Sequence, residues 1–169
     1  MPNWKAKVSQ WILLVPALVQ GGESLAAEFE PMGKALQALL KTTKVKKKAV
    51  QIRDIKSDAF YSQNDQQKLE KLAVIEKGIY EPNCTHTWAI GLDGKTGQIE
   101  EIRVIEMSCP HAYPTREQSF LSQFIGKGPK DAPTLKKKVD TVAKATGSSD
   151  LTTDAVVRSI EVWKTFQQP

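Results

Sequence analysis

Only two cysteines and two histidines occur among the 169 residues of the chain. No C-x-x-C-H is present, which excludes covalently attached c-type haem. No cysteine stands near Ala26 or Ala27, where a lipid-anchored exported protein would carry one. The apolar run from Trp11 to Val19 is about half of the ~20 residues that a membrane-spanning helix needs. Internal repeats and low-complexity tracts are absent, so nothing points to a solenoid. Neither an acid–base pair nor a nucleophile–base arrangement is legible, and this argues against a hydrolase or a transferase.

The composition that remains is that of one globular domain: 40% hydrophobic and 25% charged, with four tryptophans and five phenylalanines for a core. The formal net charge is +5 and the isoelectric point about 9.1. Lysines cluster at Lys44, Lys46, Lys47 and Lys48 and again at Lys136, Lys137 and Lys138. Nucleic acid is not the expected partner, because no aromatic residues interleave with these runs to stack bases. A solvated charged face is the simpler reading.

The amino-terminal segment has the order of an export signal. Lys5 and Lys7 precede the apolar run, and Ser24-Leu-Ala-Ala27 provides small residues ahead of the acidic Glu28. Residues 1–27 are therefore expected to be a signal peptide, with a mature domain over 28–169 that carries no membrane span. In an oxidising compartment such as the periplasm, Cys84 and Cys109 are expected to pair as a disulfide.

Within the mature part, Met32, Leu36, Leu39 and Leu40 are spaced for a short amphipathic helix over 31–41. Residues 47–55 alternate as a strand, and the polar stretch 58–72 reads as helix. The plainest signal is a β-hairpin. Thr85 to Leu92 alternates, Asp93-Gly-Lys-Thr-Gly97 is turn chemistry, and Ile99 to Met107 alternates again. Thr115-x-x-Gln118 resembles a capping box, with Phe120, Leu121, Phe124 and Ile125 on the buried side of a short helix. Thr146-Gly-Ser-Ser149 reads as a loop, after which Thr152 or Thr153 caps a final helix striped by Val156, Ile160 and Trp163. Strands and helices do not follow a βαβ rhythm. The expected class is α+β: an antiparallel sheet with a central hairpin and flanking short helices.

Three segments in order resemble the FMN-binding domain family, the module of membrane electron-transport complex subunits and small periplasmic flavoproteins. The hairpin from Thr87 to Glu106 is similar to the family's "A-x-x-L-D-x-x-G-x-I-x-x-I-x-V-x-E". Phe120-Leu-Ser-Gln-Phe-Ile-Gly-Lys127 is similar to "F-x-x-Q-F-x-G-K". Val139-Asp140-Thr-Val142, followed by the Thr/Ser segment and Leu151 to Ile160, resembles "V-D-x-(I/V)-(S/T)-G-A-T-x-(T/S)-x-x-A-V". The resemblance implies an exported flavoprotein that carries electrons to or from a membrane complex or a cytochrome. Its FMN would be held through the phosphate at Thr146, Gly147, Ser148 and Ser149, with Asp140, Thr152 and Thr153 around them and the ring near His111 and Tyr113. A hydroxyl-rich segment running into a helix suits a phosphate on physical grounds as well, because free N–H groups and the helix dipole face the anion.

The family can esterify the threonine of the third motif through the FMN phosphate. Here the motif is four residues longer than usual. Reading forward from Asp140 makes Thr146 the acceptor, whereas reading by the glycine makes it Ser149. Covalent and non-covalent binding both stay open. The family's Glu-(T/S)-(P/Y)-Gly turn is replaced by Met107-Ser-Cys-Pro-His-Ala-Tyr113. The spacings Cys84-Thr-His86 and Cys109-Pro-His111 repeat C-x-H on the two hairpin arms, and antiparallel pairing sets residue 84 opposite about 107 to 109. The alternative to a disulfide is thus a metal site of Cys84, His86, Cys109 and His111 on a flavin-free accessory protein.

Overall fold

In the computed structural model, residues 27–80 and 83–168 are described. The expected signal peptide, Ala27 excepted, lies outside them. The element order is β1 (Ala27–Glu28), α1 (Met32–Leu40), β2 (Lys46–Ile52), β3 (Ile55–Gln63), β4 (Leu69–Tyr80), β5 (Cys84–Asp93), β6 (Ile99–Met107), α2 (Gln118–Leu121), α3 (Leu135–Lys138) and α4 (Thr146–Phe166). Strands β2 to β6 form an antiparallel meander, and the two-residue β1 adds to β6 at one edge, giving the order β1-β6-β5-β4-β3-β2. This is the expected α+β domain built round an antiparallel sheet.

Alternation explains which residues go where. On one face, Leu72, Val74, Trp88, Ile90, Ile102 and Val104 pack with Ala155, Val156 and Ile160 of α4. On the other, Ala73, Ile75, Ala89 and Ile105 receive Ala35, Leu39 and Leu40 of α1. The central strands are consequently covered on both sides, and β5 is buried at nearly every position.

The hairpin forms where the alternation placed it. Its pairs include Leu92 with Ile99, Ile90 with Ile102 and His86 with Met107. Register shifts at Thr87/Trp88 and Gly91/Leu92 interrupt the constant index sum assumed from sequence. At the turn, Gly97 has φ +70°, and a Cβ built there would lie 2.6 Å from the Trp163 ring. Only glycine combines that backbone with so close an aromatic face.

Four expectations need correction, one being Ile125, which is exposed and not on a buried helix face. The polar stretch 58–72 is not a helix but the β3–β4 hairpin. The buried side chains of β3 are small or polar, Ser57 and Ala59 among them, so the apolar alternation was invisible. Its turn is set by Asn64, whose Oδ1 accepts the N–H groups of Gln66 and Lys68. Thr115 does not cap a helix: Pro110–Arg116 is a 3₁₀ segment, and the Thr115 hydroxyl donates to the Ala112 carbonyl. Nor is Thr146–Ser149 a loop. It is the first turn of α4, with Thr152 and Thr153 inside the helix.

Candidate functional site

The three motif segments meet one another. Gly126, with φ +77°, donates its N–H to Ile99 O at 2.8 Å, and Ile99 N–H donates to Lys127 O at 2.8 Å. The second motif is thereby stitched to the start of β6. Gln123 of the same motif clasps the backbone of Asp140: its Oε1 accepts the Asp140 N–H at 2.8 Å and its Nε2 donates to the Asp140 carbonyl at 3.1 Å. Asp140 is exposed and serves here through its main chain.

The chain then turns into α4 through Lys144, which takes φ +65°. Lys144 occupies the position at which the forward reading of the third motif has glycine. Among the described residues no side chain caps the amino end of α4, and its first turn holds no acid, so the leading N–H groups and the positive end of the dipole face a small hollow. That hollow, of about 230 Å³, is lined by Tyr80, His111, Lys144, Ala145, Thr146, Gly147 and Ser148. Gly147 is required by its neighbour, since a Cβ there would lie 2.2 Å from the Tyr80 ring.

The hydroxyls expected to hold a phosphate divide sharply. Thr146 is exposed, whereas Ser148, Ser149, Thr152 and Thr153 are buried. Ser149 Oγ accepts from Val142 N–H and donates to Ala145 O, while Thr152 and Thr153 donate back to the carbonyls of Ser148 and Ser149. These groups hold the turn together. Tyr113 is elsewhere: its ring meets Phe29 edge-on at 5.1 Å, with Arg116 above it. The aromatic residue at the hollow is Tyr80, which sequence reading did not single out. Its only sequence signal was an aromatic residue shortly after Gly78 and ahead of Cys84.

Cys84, at the start of β5, and Cys109, just beyond β6, form a disulfide with a Cα–Cα distance of 5.3 Å. His111 Nε2 lies 3.7 Å from Cys84 Sγ. The two histidines have different tasks. His86 is 1% exposed. Its Nδ1 lies 3.2 Å from Cys84 O, so that nitrogen carries the proton, and its Nε2 accepts from Ser148 Oγ at 3.1 Å. It also stacks on Trp88 at 5.3 Å. Burial lowers the His86 pKa, opposed by the Cys84 carbonyl and helped by the nearby His111 charge. With both nitrogens engaged, His86 falls out of the expected four-residue metal set, and the ligand-capable group is Cys84, Cys109 and His111.

A second hollow, of about 1090 Å³, opens at the carboxyl end of α4 between the β3–β4 turn and the Gly94 turn. It contains none of the site residues expected from sequence. The lysine runs lie on exposed positions, with Lys47 paired to Asp58 at 3.0 Å and Lys136 to Asp154 at 2.5 Å. No protein-family model, no curated protein and no solved structure matches the chain.

Proposed function

We propose that the chain is an exported FMN-binding electron carrier that holds the flavin by its phosphate at the amino end of α4. The observation that carries this reading is the pairing of an uncapped 21-residue helix with a hollow rimmed by the Lys144 cation and the exposed Thr146 hydroxyl. Backbone N–H groups at such an end suit a phosphate dianion, and a lysine adds charge.

Further support comes from the convergence of the three family-like segments and from Lys144, whose left-handed backbone stands where the motif has glycine. Between the two acceptor candidates, the geometry favours Thr146. It faces the hollow, while the Ser149 hydroxyl is buried in the bonds that hold the turn. A hollow of about 230 Å³ suits the phosphate end of the cofactor, below the ~300 Å³ of ordinary ligand pockets. The remainder of the flavin would extend beyond it, past the rim residues Tyr80 and His111. The bound flavin supplies the redox chemistry, and the protein supplies grip, orientation and electrostatics. A membrane electron-transport complex or a cytochrome is the fitting exchange partner.

The test is the visible spectrum of the chain isolated from its export compartment, with FMN titration of any colourless fraction. Flavin bands, lost in Thr146→Ala and kept in Ser149→Ala, are the expected result. A colourless chain that takes up no FMN overturns the reading.

A further inference from the structure

Cys84, Cys109 and His111 bring two sulfurs and an imidazole nitrogen within 4.8 Å of one another. Two of these atoms are at present joined as a disulfide. Hydrogen bonds hold the surrounding frame in addition to that bond. Ser108 N–H donates to Thr85 O at 3.0 Å, Thr85 N–H donates to Ser108 Oγ at 2.7 Å, and Ser108 Oγ donates to Asn83 O at 2.9 Å. Cys84 is further held by its pairing with Tyr80, and the Cys109 carbonyl accepts from Ala112 N–H at 3.0 Å. Hydrogen bonds thus flank both cysteines on either side. The hydrogen-bonded main chain holds the two cysteines facing one another.

We propose that reduction of this disulfide creates a binding site for one thiophilic metal ion of the zinc class, ligated by Cys84 Sγ, Cys109 Sγ and His111 Nε2. The step balances with a dithiol as reductant: its two thiols become a disulfide, the Cys84–Cys109 bond breaks, and two cysteine thiols form. Metal binding then displaces both thiol protons to solvent, leaving two thiolates that neutralise a divalent cation. Two thiolates on one tetrahedral zinc sit about 3.7 Å apart for metal–sulfur bonds of about 2.3 Å. Side-chain rotation at the fixed 5.3 Å Cα spacing supplies that separation. His111 is exposed and makes no hydrogen bond to another residue besides its Cys84 contact among the described residues, so its lone pair is available. The fourth position is left to water, as in sites that keep one exchangeable ligand. The soft donors favour zinc or its analogues over magnesium or calcium. Oxidation withdraws two of the three ligands at once, which makes occupancy a readout of redox state. The trio is complete without any cofactor, and because its His111 also lines the hollow assigned to the phosphate, metal binding is read independently of flavin content.

The experiment uses the full purified chain, either oxidised or reduced with dithiothreitol and desalted without oxygen, and titrates each with Co²⁺. The expected result is one Co²⁺ per reduced chain, with thiolate-to-cobalt charge-transfer absorption and tetrahedral visible bands that Zn²⁺ abolishes. The oxidised chain should show neither. His111→Ala should weaken binding at least tenfold with unchanged circular dichroism, and His111→Cys should restore it. Absence of thiolate–cobalt bands in the reduced chain, equal bands in the oxidised chain, or a His111→Ala variant that binds as tightly as the parent overturns the proposal.

Discussion

His86 and Ser148, 62 residues apart, share a hydrogen bond of 3.1 Å that ties the outer end of β5 to the first turn of α4. Both partners are buried, so neither has water as a ready substitute. This bond holds the amino end of α4 against β5, and with the Cys84 carbonyl accepting from Nδ1–H the Ser148 hydroxyl is left to donate to Nε2.

Ser148→Ala should therefore cost more than an exposed serine would. Removing the hydroxyl leaves His86 Nε2 buried without a donor, a loss of about 1–3 kcal/mol. Urea unfolding of the parent and the variant measures it. Thr146→Ala, two residues earlier but exposed, should stay within about 0.5 kcal/mol of the parent. Equal losses in the two variants would contradict this arrangement.

Acidification should weaken the fold through His86. Burial holds its pKa below the ordinary value, so the folded chain resists a proton that the unfolded chain accepts below about pH 6.5. The contribution is complete above that pH and is lost as the pH falls from there toward the lower folded value. Melting temperatures recorded between about pH 8 and about pH 5 should fall more steeply for the parent than for His86→Gln, which has nothing to titrate in this range. Parallel curves would count against it.

A buried ion pair lies beneath α4. Glu76 is fully buried, its Oε1 accepts from Ser57 Oγ at 2.7 Å, and its Oε2 accepts from Arg158 Nε at 2.8 Å. Burial raises the Glu76 pKa despite the opposing charge of Arg158 and the hydrogen bonds from Ser57 and Arg158. Arg158→Met strips the carboxylate of its charge partner and should cost about 3–5 kcal/mol near neutral pH. Because a raised pKa means that the folded state favours the protonated acid, the variant should recover stability as the pH drops through the carboxylate range and lose it as the pH rises. Chemical denaturation at two pH values checks both the size and the sign.

How far the chain could be read in advance follows from which residues face inward. The β5–β6 hairpin was legible because Trp88, Ile90, Ile102 and Val104 are large, apolar and alternate. The neighbouring β3 was not, since it turns Ser57 toward Glu76 and Ala59 toward the core. A buried hydrogen bond leaves no hydrophobic period to find. At the site, the proximity of Cys84 and Cys109 followed from antiparallel register alone, and the pairing is present. Sequence could not separate one exposed threonine from four buried hydroxyls, because burial there depends on how the preceding turn at Val142 folds back and on His86 arriving from 62 residues away. Tyr80 escaped notice for the same reason: what gives it a place in the site is Gly147, which the fold brings beneath its ring.

α4 is fastened at both extremities to the same hairpin. Ser148 bonds His86 at one end, and at the other Trp163 Nε1 donates to Gly94 O at 2.8 Å. A rod pinned twice can neither slide along the sheet nor pivot away from it. On the proposed reading, an anion arriving at its leading N–H groups would find them already aimed, and little of the attraction would be spent on ordering the receiver.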